Sequence, residues 1–74
     1  MVKVSRGRSL LQNCLDLRKM SQAEFSRRSG WSVRMISYYC TGERRMSPEA
    51  MFAASSILEV PMESLYEWTL ETEE

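Results

Sequence analysis

The sequence predicts an all-α domain of five short helices, and three observations lead there. An apolar–serine helix-start signal recurs at Ser21, Ser32 and Ser47. Gly30 and Gly42 each follow a helical stretch, where a left-handed residue ends a helix. Three glycines and two prolines leave little material for strand turns.

Each element has its own signal. Ser9-Leu10-Leu11-Gln12 is a weak capping box opening a helix near 9–19, with Leu10, Leu11, Cys14, Leu15 and Leu17 spaced for a broad buried face. Ser21-Gln22-Ala23-Glu24 is a full capping box for a helix near 22–29, stapled by Met20 and Phe25. Ser32 starts the third helix, near 33–40, with Trp31 and Ile36 as the staple. Ser47 starts the fourth, near 48–58, with Met46 and Met51 as the staple, Pro48 at its first position and Glu49 favouring the dipole. Val60-Pro61 breaks that helix, and a fifth is expected near 62–68 with Leu65 inward. Residues 1–7 and 70–74 are expected to fray.

A length of 74 residues fits one domain, with an ordered core near 8–69, a short N-terminal arm and an acidic C-terminal tail. The formal charge of zero conceals a split chain. Residues 1–45 hold all ten Lys and Arg against Asp16, Glu24 and Glu43, a net of +7. Residues 46–74 hold seven glutamates and no base, a net of −7. A basic head and an acidic tail point to a polyanionic partner meeting one face only. The absence of histidine removes the commonest general base and metal ligand. Two cysteines without histidine make no four-ligand zinc site, and Cys14 and Cys40 read as free packing thiols. No secretion signal or membrane-length apolar run is seen, which sets the expectation of a cytoplasmic protein. Neither enzyme chemistry, a cofactor, a metal nor a small-molecule ligand is expected.

Helices near 22–29 and 33–40, joined by about three residues containing Gly30, have helix-turn-helix spacing. With Ser21-Gln22-Ala23-Glu24-Phe25, Ser29-Gly30-Trp31-Ser32, Ile36-Ser37, Gly42 and Leu58-Glu59-Val60-Pro61-Met62-Glu63-Ser64-Leu65, the chain resembles the Cro/CI-type (XRE-like) helix-turn-helix regulators over residues 9–68. The resemblance implies a compact five-helix, lambda-repressor-like DNA-binding domain. Departures are Lys19 at a usual glycine, Ser26 and Ser55 at usual alanines, Trp31 at a small aliphatic position, Cys40 at a frequent glutamate, and Pro48 displaced by two.

Site residues follow from the motif. Ile36 and Tyr39 face inward, leaving Val33, Arg34, Ser37 and Tyr38 for base edges. Arg34 has the fork that matches guanine O6 and N7, and Val33 can meet a thymine methyl. Gln22, Ser32, Thr41, Arg44 and Arg45 are the phosphate contacts, with Gln22 taken from the family's glutamine at that position. Arg27 and Arg28 read as helix-dipole and solubility residues.

A single unit of this kind binds weakly, so a homodimer on double-stranded operator DNA is expected, with Leu65, Tyr66, Trp68 and Leu70 as its interface. Trp68 also fits a second role, capping the core of its own chain. The reading is a small phage or bacterial Cro-like repressor in the cell's cytoplasm. Two rivals stand beside it: a divergent module that binds another regulator instead of DNA, and an antitoxin with a toxin partner.

Overall fold

The computed structural model describes residues 2–72. In chain order it contains strand β1 (Val2–Ser9) and helices α1 (Leu11–Leu17), α2 (Gln22–Ser29), α3 (Val33–Thr41) and α4 (Pro48–Leu58). A 3₁₀ turn over Met62–Leu65 then leads into strand β2 (Tyr66–Thr72). Glu73 and Glu74 of the expected acidic tail lie outside the described residues.

Three helix starts are built as their serines dictate. The Ser21, Ser32 and Ser47 hydroxyls accept from the backbone N–H groups of Glu24, Met35 and Ala50. Gly30 and Gly42 end α2 and α3 in left-handed geometry, φ 81° and 88°. At the first helix the serine signal is weaker: Leu10 stands at the cap without a side-chain bond, and α1 covers seven residues. Lys19 and Glu59 take positive φ at the ends of α1 and α4, positions where glycine is the unstrained choice.

The all-α expectation is corrected. Residues 66–72 are a strand rather than the end of a fifth helix, and residues 2–9, expected to fray in part, are its antiparallel partner. The register runs from Val2 opposite Thr72 to Arg6 opposite Trp68, and a bulge separates that stretch from Ser9 opposite Tyr66. The physical reason is visible in period-two alternation: Val2, Val4 and Arg6 on one strand match Trp68, Leu70 and Thr72 on the other. A chain cannot satisfy a seven-residue strand locally, so the two termini supply each other's backbone partners.

Leu11, Leu15, Phe25, Ile36, Met46, Leu58 and Leu65 form one fully buried core shared by all four helices and the 3₁₀ turn. The base of the ribbon is tied into it. Met46 N–H donates to the Tyr66 hydroxyl at 3.0 Å, and Leu10 N–H donates to the Leu65 carbonyl at 2.8 Å. Arg6 donates to the Met46 carbonyl at 2.8 Å, with its guanidinium carbon 4.8 Å from the centre of the Tyr66 ring.

Candidate nucleic-acid interface

Three residues, Gly30, Trp31 and Ser32, connect α2 to α3. Their conformation is over-determined. Gly30 N–H returns to the Ser26 carbonyl, Trp31 N–H donates to the Ser29 hydroxyl, and the Ser26 hydroxyl donates to the Trp31 carbonyl. Trp31 stacks edge-on against Phe25 of α2 at 5.8 Å and Tyr39 of α3 at 5.5 Å. With Ile36 buried beneath, these rings brace α3 against α2. The two departures Ser26 and Trp31 thus form one unit: the larger turn residue brings an aromatic clamp, and the serine ties its carbonyl.

This bracing leaves the outer side of α3 open. Ser32, Val33 and Arg34 are exposed, while Ser37 and Tyr38 are half-buried beside Ile36. Val33 is 46% exposed, an apolar side chain left in water at the first turn of the helix. The Ser32 hydroxyl is occupied as an acceptor by the cap, which leaves its proton free to donate outward.

The other expected phosphate contacts divide into three groups. Arg44 and Arg45 are exposed on the segment after α3, and Arg45 reaches the Arg6 carbonyl at 3.5 Å. Thr41 is an internal cap, its hydroxyl donating to the Tyr38 carbonyl at 3.3 Å and accepting from Glu43 N–H. Gln22 is half-buried, and its amide donates to Gln12 Oε1 at 2.8 Å and to Cys40 Sγ at 3.7 Å. Gln12 in turn donates to Asp16 at 2.9 Å. This relay links α1, α2 and α3 and was not legible in the sequence, because its members are 10 and 18 positions apart. Burial, helped by the nearby Asp16 charge, pushes the Cys40 thiol up to about 11.

Charge is redistributed in the folded chain. Arg18 donates to the Leu58 and Glu59 carbonyls, closing the end of α4. Arg27 and Arg28 both pair with Glu24, so that carboxylate faces forward rather than back to the cap, and its pKa falls below the ordinary value because of the Arg28 and Arg27 hydrogen bonds. Arg8 meets Glu67 at 3.5 Å, and Lys3 lies opposite Glu71. Among the described residues, no salt bridge engages Lys19, Arg34, Arg44 or Arg45. Among the described residues, salt bridges therefore engage Arg8, Arg27 and Arg28, backbone carbonyls hold Arg6 and Arg18, and Arg34, Arg44 and Arg45 stand exposed on α3 and the segment after it.

The expected dimer residues also separate. Leu65 and Tyr66 are 0% and 3% exposed, inside the core of the single chain. Trp68 and Leu70 lie on the ribbon beyond it, exposed. Trp68 is tied to its own chain, its indole N–H donating to the Glu63 carbonyl at 2.9 Å, and is 40% exposed.

No helix among the described residues is long and apolar enough to cross a membrane. Compared with known families, the chain matches one model, described as helix-turn-helix, over residues 11–65. That span runs from the first residue of α1 to the end of the 3₁₀ turn and leaves the ribbon outside it. No individual curated protein matches.

Proposed function

The chain belongs to the helix-turn-helix family of the XRE, Cro/CI type, a family of DNA-binding regulators, and we propose that it is a sequence-specific repressor acting as a two-fold pair on operator DNA. In this reading α3 enters the major groove of double-stranded DNA in a bacterial or phage-infected cytoplasm. The observation that carries it is the α3 surface: a helix braced from behind by Phe25, Trp31 and Ile36, presenting Val33 and an uncommitted Arg34. Arg34 reads a guanine through two parallel hydrogen bonds, Val33 meets a thymine methyl, and Ser37 and Tyr38 reach neighbouring edges. Ser32, Arg44 and Arg45 hold phosphates on either side. Gln22, whose amide donates to Gln12 of α1 and Cys40 of α3, positions α2 against both helices. Binding requires no cofactor or metal in this reading, and no catalytic step is assigned.

Lys19, Arg34, Arg44 and Arg45, exposed and outside the salt bridges of the described residues, set the electrostatics. Neutralising three to four phosphates per copy gives a logarithmic salt slope of about −3 per copy. Fluorescence anisotropy on a random-sequence duplex pool, followed by selection of bound sites, tests the reading. The expected result is salt-dependent binding and a selected palindrome. Arg34→Ala is expected to weaken the selected site by roughly tenfold or more while leaving random-pool binding nearly intact. Absence of binding at low salt by a folded sample refutes it, and points to the rival that docks another regulator or a toxin.

A further inference from the structure

The segment between α3 and α4 carries Arg44 and Arg45, both exposed, and has no regular secondary structure of its own. Its two ends are nevertheless fixed. At the start, the Gly42 and Arg44 N–H groups both return to the Tyr38 carbonyl, at 3.0 and 3.3 Å. At the finish, the ribbon takes both backbone polar groups of Met46. The Met46 N–H donates to the Tyr66 hydroxyl of β2 at 3.0 Å, and its carbonyl accepts from the Arg6 guanidinium of β1 at 2.8 Å. Arg45 adds a longer reach back, 3.5 Å to the Arg6 carbonyl.

We propose that Arg6 is a positioning residue for DNA binding: seated on the ribbon, it holds Met46 in place and so aims Arg44 and Arg45 at the phosphate backbone without touching DNA itself. The proposal rests on the operator-binding reading for the contacts of those two arginines. It adds a fixture from beyond the helix-turn-helix unit, because Arg6 and Tyr66 both lie outside the matched span 11–65.

The seat of Arg6 explains why it acts through Met46. Its guanidinium carbon lies 4.8 Å from the centre of the Tyr66 ring and 5.6 Å from that of Trp68, so its planar face is taken up by two aromatic groups. Those rings meet edge-on at 6.3 Å, and the Trp68 indole N–H donates to the Glu63 carbonyl at 2.9 Å. The stack is thereby anchored in the 3₁₀ turn, which Leu65 fixes in the core. Arg6 is half-buried, and among the described residues no salt bridge engages it. Its stabilisation comes instead from the Met46 carbonyl and the two rings.

Removing one tie to Met46 loosens the segment, and DNA must then order it. Fixing the backbone of one residue on binding corresponds to roughly fivefold to thirtyfold in affinity. That loss does not depend on salt, whereas losing a phosphate contact lowers the salt slope by about 1.

Anisotropy of the full chain on a random-sequence duplex, over a salt series, tests this with Arg6→Met, which keeps an unbranched stem and removes the fork. The expected result is binding weakened about fivefold or more at every salt concentration, with the slope unchanged. On an Arg44→Ala/Arg45→Ala background the same substitution is expected to change binding less than about twofold, because the groups it aims are gone. Exchange of the Arg45 and Met46 amides is expected to speed up more than that of Leu15 and Ile36. Leu58→Val, which loosens the core at the other end of α4, controls for lost stability and leaves binding unchanged in the folded chain. Circular dichroism melts set the assay temperature below every transition. If Arg6→Met does not fold, Tyr66→Phe, which removes the other tie to Met46, carries the same cycle. A loss that persists in full on the double-alanine background overturns the proposal, as does a slope lower by about 1, since either makes Arg6 a phosphate contact. Equal binding by wild type and folded Arg6→Met removes the positioning role alone. A folded wild type that binds no DNA removes the operator reading and the positioning role with it.

Discussion

Tyr66→Phe removes a single oxygen from the junction between ribbon and core. That oxygen accepts from Met46 N–H at 3.0 Å, and the two residues are 3% and 1% exposed, so no water replaces it without a rearrangement. Phenylalanine keeps the ring that Arg6 covers and the edge contact with Trp68, so packing is nearly unchanged. What remains is an orphaned buried donor, worth about 1–3 kcal/mol. A domain of this length has roughly 4–11 kcal/mol of stability in total. A loss near 1.5 kcal/mol lowers Tm by about 6–12 °C at this size. Thermal and urea melts followed by circular dichroism read it directly, with the urea slope unchanged if the same surface is exposed on unfolding. A Tm within about 2 °C of wild type refutes the reasoning, because it means Met46 N–H finds another partner at little cost. Tyr38→Phe is the control: Tyr38 is half-buried and lies away from this bond, and its Tm is expected to stay put.

Other expectations follow from the same geometry. Lys19→Gly relieves a left-handed lysine at the end of α1 and is expected to raise Tm by a few degrees, about 0.5–1 kcal/mol, read by the same melts. Arg44→Ala is expected to weaken DNA binding nearly equally across sequences and to reduce the salt slope by about 1, measured by anisotropy over a salt series. Cys40 is expected to resist maleimide in the folded chain at pH 8–9 and to react as the pH approaches about 11, its folded value. Because folding raises that pKa above the thiol's ordinary value of 9.0, the associated stability is full below pH 9 and is lost as pH rises toward 11. An alkylation rate at pH 8 equal to that of the unfolded chain refutes the burial argument.

What the sequence makes legible is what local physics decides. Ser21, Ser32 and Ser47 bond to donors three residues away, so their helix starts are written in adjacent letters. Phe25 and Ile36 are staple partners four residues after their caps, so their inward placement is local as well. The ribbon is different, because Val4 acquires a partner only at Leu70, and no nearby residue announces it. Alternation is present in Val2–Arg6 and Tyr66–Glu71, yet the second run follows a real helical turn at Met62–Leu65 and reads equally as its continuation. Within the recognition unit, the exposed positions on α3 are readable from its buried ones. The diversion of Gln22 toward Gln12 and Cys40 and of Thr41 into a cap depends on distances that only the folded chain defines.

Joining Val2 to Thr72 closes a loop that spans nearly the whole chain. Closing about 70 residues costs on the order of 4 kcal/mol in chain entropy if nothing else is ordered. Seven or eight exposed strand residues do not recover that alone, so the ribbon zips only after the helices have collapsed and brought its ends near. It is also the first part to open, and amide exchange in Val4 and Leu70 should be faster than in Leu15 or Ile36. The ribbon is thereby made conditional on maturity: a growing chain that stops short of residue 66, or a chain whose helical core has melted, does not form it.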